Sequence, residues 1–276
     1  MPTYVPTQHP PFKPKDGDSG LFSKSRDEST EIRFREEDPV WTLSEVVLNP
    51  KVRETIDDVI VFCQNRKKLV DEWGLNSFLK GNTSIGINLY GASGTGKSCT
   101  ANAIAHALGK KIVKVDYSEI QDSKLGQTEK NLTALFKTAS ENGSVIFMDE
   151  ADGLLGRRAS AGSNAAVTNH IKSHLLTLID RYDVIIIYAT NLFKNFDRAF
   201  VRRILYHIKY PMPTQGELKE IWKFHMGHPN IMKDPENFSF EEIAKVCEGS
   251  LSGGDIKNLT LKLCVKVAAG RINALT

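Results

Sequence analysis

The sequence predicts an α/β fold: a mostly parallel sheet with flanking helices, followed by a small all-helical domain. Three observations predict it. Apolar runs of strand length alternate with helix-patterned segments from residue 85 to residue 190, which is how parallel sheets are connected. Two of the runs, Val145-Ile146-Phe147-Met148 and Val184-Ile185-Ile186-Ile187-Tyr188, are continuously apolar, as strands covered on both faces are. After Pro211-Met212-Pro213 such runs stop and only helical patterns remain. The 276 residues, 41% hydrophobic and 25% charged, suffice for one large domain or two smaller ones.

Residues 1–38 carry Pro2, Pro6, Pro10, Pro11 and Pro14 and then a mixed-charge run ending in Glu36-Glu37-Asp38. Few apolar residues and no period make this a mostly disordered tail. The sheet domain is expected over 39–210. Order begins near Trp41, and Thr42 to Leu48 form a short extended or loop segment. Asn49-Pro50 turns into a helix striped by Val52, Ile56, Val59, Ile60 and Cys63. Trp73-Gly74-Leu75 closes that region, and the Gly/Asn/Thr cluster at 81–83 leads into a first strand, Ile85 to Tyr90. A helix from Cys99 to Leu108 stops at Gly109. Lys111 to Asp116 is a second strand, and Leu132, Leu135 and Phe136 stripe a helix near 128–140. The third strand, Val145 to Met148, ends in Asp149-Glu150. A flexible loop over 156–164 precedes a helix with Ile171, Leu175, Leu178 and Ile179. The fourth strand ends at Ala189-Thr190-Asn191. The helical domain, 211–276, holds segments at 215–226, 239–247 and 254–269.

Between the first strand and its helix lies Gly91-Ala92-Ser93-Gly94-Thr95-Gly96-Lys97-Ser98. Strand, glycine loop and helix are the context that the phosphate-binding pattern G-x-x-x-x-G-K-[ST] requires. The glycines let the loop backbone curl its N–H groups inward, and the new helix adds its positive end. Lys97 supplies a point charge to terminal phosphates, and Ser98 a hydroxyl for Mg²⁺. Cys99 sits at the helix start, where a thiolate is favoured; an ordinary small residue under the loop is the alternative. Ligands of such sheets sit beyond the carboxyl ends of the strands. Lys97, Asp149 and Asn191 all lie at or just past such ends, which points to one nucleotide site.

Cleaving a phosphoanhydride needs charge neutralisation, a placed water and help for the developing charge. Asp149 is suited to the metal or its water. Glu150, one residue nearer the ligand, is suited to polarise the attacking water. Asn191 is suited to hold that water or the terminal phosphate. Arg202 and Arg203 are either solvated charge or, in a ring of subunits, groups that reach a neighbour's phosphate.

The totals exclude other classes. Net charge is +3, from 36 basic and 33 acidic residues, too even to argue for nucleic acid or an anionic membrane. Cys63, Cys99, Cys247 and Cys264 form no C-x-x-C pair and read as reduced thiols. No apolar run reaches membrane-span length and the N-terminus lacks a signal-peptide core, so a cytoplasmic protein is expected.

These motifs together resemble the AAA branch of the AAA+ ATPases, over about residues 42–270. Gly91 to Ser98 resembles Walker A, with Gly91, Ser93, Gly94, Thr95, Gly96, Lys97, Ser98 and Cys99 around the phosphates. Val145 to Glu150 resembles Walker B, continuing Asp149-Glu150-Ala151-Asp152. Ala189-Thr190-Asn191 resembles the sensor-1 strand end, and Ser252-Gly253-Gly254-Asp255-Ile256 the lid signature, with Gly254 at the nucleotide. The resemblance implies ATP and Mg²⁺, a homo-hexamer with ATP between subunits, and a helical lid. Glu45, Val46 and Val47 fall where that family packs adenine. Arg202 and Arg203 fall where its meiotic-clade members place two trans-acting arginine fingers. Ser123-Lys124-Leu125-Gly126 falls at the first pore loop, with Lys124 at the family's aromatic position, and Arg157 and Arg158 fall in the second.

The implied activity is ATP-driven remodelling of a protein threaded through the ring. No substrate-binding domain is expected before residue 42, so a bare motor is expected. The run Asp197-Arg198-Ala199-Phe200-Val201 also resembles the pachytene-checkpoint remodellers, which implies a HORMA-domain protein as client and, through bacterial relatives, a place in antiviral defence. The alternative reading is a nucleotide-switched binding or loading module on nucleic-acid machinery; the even charge balance weighs against it.

Overall fold

The computed structural model describes residues 34–75, 84–116, 125–156, 165–191, 196–227, 231–232 and 238–271. Six strands form one sheet in the order β1-β3-β4-β5-β2-β6. β2 (Ile85–Gly91), β3 (Ile112–Asp116), β4 (Val145–Asp149), β5 (Ile185–Thr190) and β6 (Ile204–Tyr210) run parallel, and β1 (Glu36–Glu37) pairs antiparallel with β3.

Alternate residues of each strand feed two apolar cores. Ile87, Leu89, Val145, Phe147, Ile187 and Ile208 point to the face covered by α1 (Pro50–Gln64) and α2 (Lys97–Ala107). Val113, Val115, Ile146, Met148, Ile186 and Tyr188 point to the other face, where α3 (Leu125–Asn142) and α5 (Ala165–Arg181) bring Leu132, Phe136, Leu175 and Ile179. Both faces being buried accounts for the unbroken apolar runs. The turn α4 (Asp152–Leu155) follows β4, and α6 (Arg198–Val201) precedes β6.

Beyond Pro211, α7 (Gln215–Met226), α8 (Phe240–Cys247) and α9 (Gly253–Ala268) enclose a third core of Leu218, Trp222, Phe240, Ala244 and Ile256. Reciprocal capping boxes start two of these helices, Thr214 with Glu217 and Ser252 with Asp255, so orphan N–H groups are met from within the sequence. Among the described residues no helix is long and apolar enough to cross a membrane.

Two elements depart from expectation. The unpatterned tail was expected to reach residue 38, but Phe34 packs on the core and Glu36–Glu37 form a strand. Polar partners hold it: Glu36 accepts from Ser144 and Asn142, and Glu37 pairs with Lys114 at 2.9 Å. Such contacts leave no apolar period to read. The sixth strand, Ile204–Tyr210, was also not expected. It is an edge strand with exposed Leu205 and Lys209, so it lacks a continuous apolar run.

Candidate functional site

β2 delivers the chain to Gly91, whose φ of 149° and position against β6 leave no room for a side chain; a Cβ there would lie 2.2 Å from the Tyr210 carbonyl oxygen. The loop then turns through Gly94 and Gly96, both at positive φ. Gly96 is the N-cap of α2 and offers no side chain to its first turn. The leading N–H groups of that helix therefore remain available to an anion.

Lys97 is 8% exposed. Its ammonium donates to the Gly91 and Ala92 carbonyls at 2.8 Å each and to Asn191 Oδ1 at 3.0 Å. Burial lowers its pKa, and the charges of Asp149 and Asp152 oppose that. The Ser98 hydroxyl donates to Asp149 Oδ2 at 3.0 Å. A hydroxyl and a carboxylate in contact at a helix start are hard oxygen donors suited to Mg²⁺, which keeps most of its waters in such sites.

Glu150 has φ 49°, the one non-glycine residue at positive φ among those described. Its N–H donates to Asp149 Oδ1 at 2.9 Å, and its side chain is exposed. Strain at a non-glycine residue persists only where its surroundings impose it. Here the next residue is pinned, because the Ala151 N–H donates to the Ala189 carbonyl at 3.1 Å, and Asn191 N–H donates to Asp152 Oδ2 at 3.1 Å. The ends of β4 and β5 are thus tied together, with Asp149, Glu150 and Asn191 on one rim.

A cavity of about 400 Å³ opens from this rim. Ser93, Thr95, Lys97, Ser98, Asp149, Glu150 and Asn191 line its polar end. Val46, Val47, Tyr210, Ile221 and Phe224 line an apolar end that suits a flat base. Glu45 also borders it, and its carboxylate accepts from Thr42 N–H and hydroxyl at 2.8 Å each, which fastens the loop. The lid closes the cavity through contact of glycines: Gly254 N–H donates to the Gly94 carbonyl at 2.9 Å, and a Cβ on Gly94 would lie 2.3 Å from Ser252 Oγ. The cradle therefore fits a nucleoside triphosphate with Mg²⁺. Cys99 lines the cavity too, but burial pushes its thiol pKa up, so the helix-start thiolate is not favoured.

Arg202 and Arg203 lie elsewhere. They precede β6, which runs parallel to β2 with Ile204 beside Gly86 and Tyr210 beside Gly91. The loop is therefore at the opposite end of the strands, about 17 Å away at roughly 3.3 Å per residue. Arg203 is held by Asp180 through two 2.7 Å hydrogen bonds and by the Ala199 carbonyl at 3.1 Å, while Arg202 is exposed. Neither lines the cavity. Lys124, Arg157 and Arg158 lie outside the described residues; Leu125 and Gly126 open the first turn of α3 rather than a loop.

Sequence reasoning missed Tyr210, Ile221, Phe224 and His225 as cavity residues. Tyr210 immediately precedes the proline hinge, the one local sign that the chain there turns over the ligand end. Phe224 meets Trp41 with ring centroids 6.2 Å apart and planes tilted by 39°, a pairing across the chain that no local pattern encodes.

Residues 87–212 match the protein family described as "ATPase family associated with various cellular activities (AAA)". The chain is 34% identical over 181 residues to the 26S proteasome subunit RPT4 of Saccharomyces cerevisiae, covering 63% of this chain and 40% of that protein. It is 29% identical over 252 residues to the proteasome-activating nucleotidase of Methanopyrus kandleri, covering 88% of this chain and 53% of that protein. It is 28% identical over 265 residues to cell division protein C of Sulfolobus acidocaldarius, covering 92% and 67%. The chain thus spans about half the length, or less, of the first two relatives.

Proposed function

We propose that this chain, whose residues 87–212 match the AAA ATPase family, hydrolyses ATP with Mg²⁺ and uses the energy to remodel other proteins. The observation that carries the reading is the convergence on one rim of Lys97, Asn191, Ser98 and Asp149, with Glu150 beside them in a strained backbone.

The residues divide the work. The N–H groups of the glycine loop and of the α2 start bind the α- and β-phosphates. Lys97, desolvated and oriented by loop carbonyls, carries positive charge to the terminal phosphates. Ser98 and Asp149 hold Mg²⁺, which when bound neutralises phosphate charge. Glu150 takes a proton from the attacking water, and Asn191 orients that water or the γ-phosphate, since its Oδ1 already lies against Lys97. Val46, Val47, Ile221 and Phe224 exclude water from around the base. The contact of Gly254 with Gly94 holds the lid against the loop.

The proposal extends to assembly and client. Arg202 and Arg203 stand at the far end of the strands from their own site, which supports a homo-hexamer in which they reach the neighbour's phosphate. Lys124, Leu125 and Gly126 are proposed to meet the polypeptide in the pore. Relatives named as a proteasome subunit and a proteasome-activating nucleotidase support a protein client. The finer client, a HORMA-domain protein in antiviral defence in the cytoplasm, rests on the run Asp197-Arg198-Ala199-Phe200-Val201 alone. The testing experiment is Glu150→Gln assayed for ATP affinity, phosphate release and assembly. Retained affinity and assembly with lost release is expected; unchanged release overturns the role of Glu150.

A further inference from the structure

The centre of the sheet contains a polar residue with no part in the cradle. Asn88, in the middle of β2, is fully buried. In register it sits between Tyr188 of β5 and His207 of β6, with its side chain on the face that Tyr188 and Ile186 make apolar. A carboxamide there is costly unless both its ends are hydrogen-bonded. Both are. Its Oδ1 accepts from the Thr190 hydroxyl at 3.4 Å, and its Nδ2 lies 3.4 Å from His207 Nδ1. His207 Nε2 lies 3.4 Å from the Val201 carbonyl oxygen.

The partners dictate the polarity of this chain. A carbonyl only accepts, so His207 must carry its proton on Nε2. Its Nδ1 is then an acceptor and Asn88 must turn its NH₂ toward it. Asn88 Oδ1 is left facing Thr190, whose hydroxyl donates. The three contacts then run in one direction, from Thr190 to Asn88 to His207 to the Val201 carbonyl. Burial also holds the His207 pKa below the ordinary imidazole value, which favours the neutral ring.

The two ends of the chain are the informative part. Thr190 immediately precedes Asn191, which touches Lys97. Val201 immediately precedes Arg202 and Arg203. We propose that Thr190, Asn88 and His207 form a relay across the sheet that sets the turn at Val201–Arg203 relative to the strand end at Thr190–Asn191, making Asn88 and His207 positioning residues for ATP hydrolysis. The relay deepens the ATPase reading above and rests on it, with Arg202 acting at the neighbour's site.

The test uses the full chain with ATP and Mg²⁺. Nitrogen NMR of the histidine rings at neutral pH should show His207 neutral with its proton on Nε2. His207→Leu and Asn88→Leu should each lower kcat about tenfold, the size of ordinary coupling between contacting groups, with nucleotide Kd unchanged and a lowered thermal midpoint, since each leaves a buried polar partner unpaired. His207→Gln keeps a donor for Val201 and an acceptor for Asn88, and should retain the wild-type rate. In an Arg202→Ala background His207→Leu should cost nothing more, because both act through the same turn. A charged ring or an Nδ1 proton overturns the relay. So do equal losses in the Leu and Gln variants, a wild-type kcat in His207→Leu, or a loss that multiplies with Arg202→Ala. Those results leave the ATPase reading standing. A wild-type chain that releases no phosphate overturns that reading and the relay's role in it together.

Discussion

Lys97 and Asn191 are 94 positions apart in the chain, yet the lysine ammonium lies 3.0 Å from the asparagine Oδ1. The contact joins the first turn of α2 to the end of β5, two elements that the parallel β2–β5 pairing brings side by side. Asn191 is thus placed by the same hydrogen bond that orients the phosphate-binding charge. Asn191→Ala should lower kcat by roughly 10²–10³, the range for removing one preorganised polar group at developing charge. Nucleotide affinity should change much less, because the loop carbonyls still hold Lys97. Steady-state phosphate release beside equilibrium titration with a fluorescent nucleotide separates the two.

Glu150 combines a strained backbone with the proposed role of base, so stability and activity should part company there. Glu150→Gly relieves a φ of 49° and should raise the unfolding free energy by about 1 kcal/mol while abolishing turnover. Urea unfolding of this variant beside Glu150→Gln checks it, since Gln keeps the strained backbone and should show no gain.

The lid contact admits no side chain. Gly94→Ala places a Cβ 2.3 Å from Ser252 Oγ at a residue with φ 75°. The variant should push α9 off the loop and weaken nucleotide binding at least about tenfold, because one tenfold step corresponds to only about 1.4 kcal/mol. Gly254→Ala meets Gly94 Cα at 3.0 Å with no φ strain, and should do less. Titration of nucleotide into both variants gives the order.

If Arg202 serves a neighbouring subunit, activity should reappear on mixing two inactive proteins. Arg202→Ala alone should lose roughly 10³–10⁵ in rate, and Glu150→Gln alone should be inactive. A mixed ring contains seams with an intact site from one variant and an arginine from the other. Phosphate release from the mixture above the sum of its parts is expected. A mixture no faster than its components contradicts service in trans.

Acid should loosen the β1 edge. Hydrogen bonds from Ser144 and then Asn142 hold the Glu36 carboxyl below its ordinary value of 4.5. A folded-state pKa below the unfolded one means that the ionised form favours the fold. That contribution is present above pH 4.5 and is lost as pH falls through the lower folded value. Glu36→Gln should flatten this part of the acid limb when thermal midpoints are followed downward from pH 6.

Much of the candidate site is legible in the sequence, because its pattern is local. A glycine loop between strand and helix, an apolar run ending in Asp149-Glu150 and a strand ending at Asn191 each declare themselves within a dozen residues. The capped helices of the C-terminal domain are local too, with Ser252 and Asp255 three positions apart. The two strands at the sheet's margins escaped, because β1 is two residues held by polar contacts such as Glu36 with Ser144 and β6 interrupts its apolar residues with exposed Leu205 and Lys209.

Residue order by itself therefore determined the glycine loop between strand and helix, the polar strand ends that come to border one cavity, and the helices that follow Pro211. Only the tertiary structure decided which distant groups share the rim and which are kept from it. Parallel pairing of β6 with β2 sends Arg202 and Arg203 to the far end of the strands while bringing Tyr210 to the cavity. Strand direction and register are set by contacts between segments far apart in the chain, and no short stretch of sequence carries them.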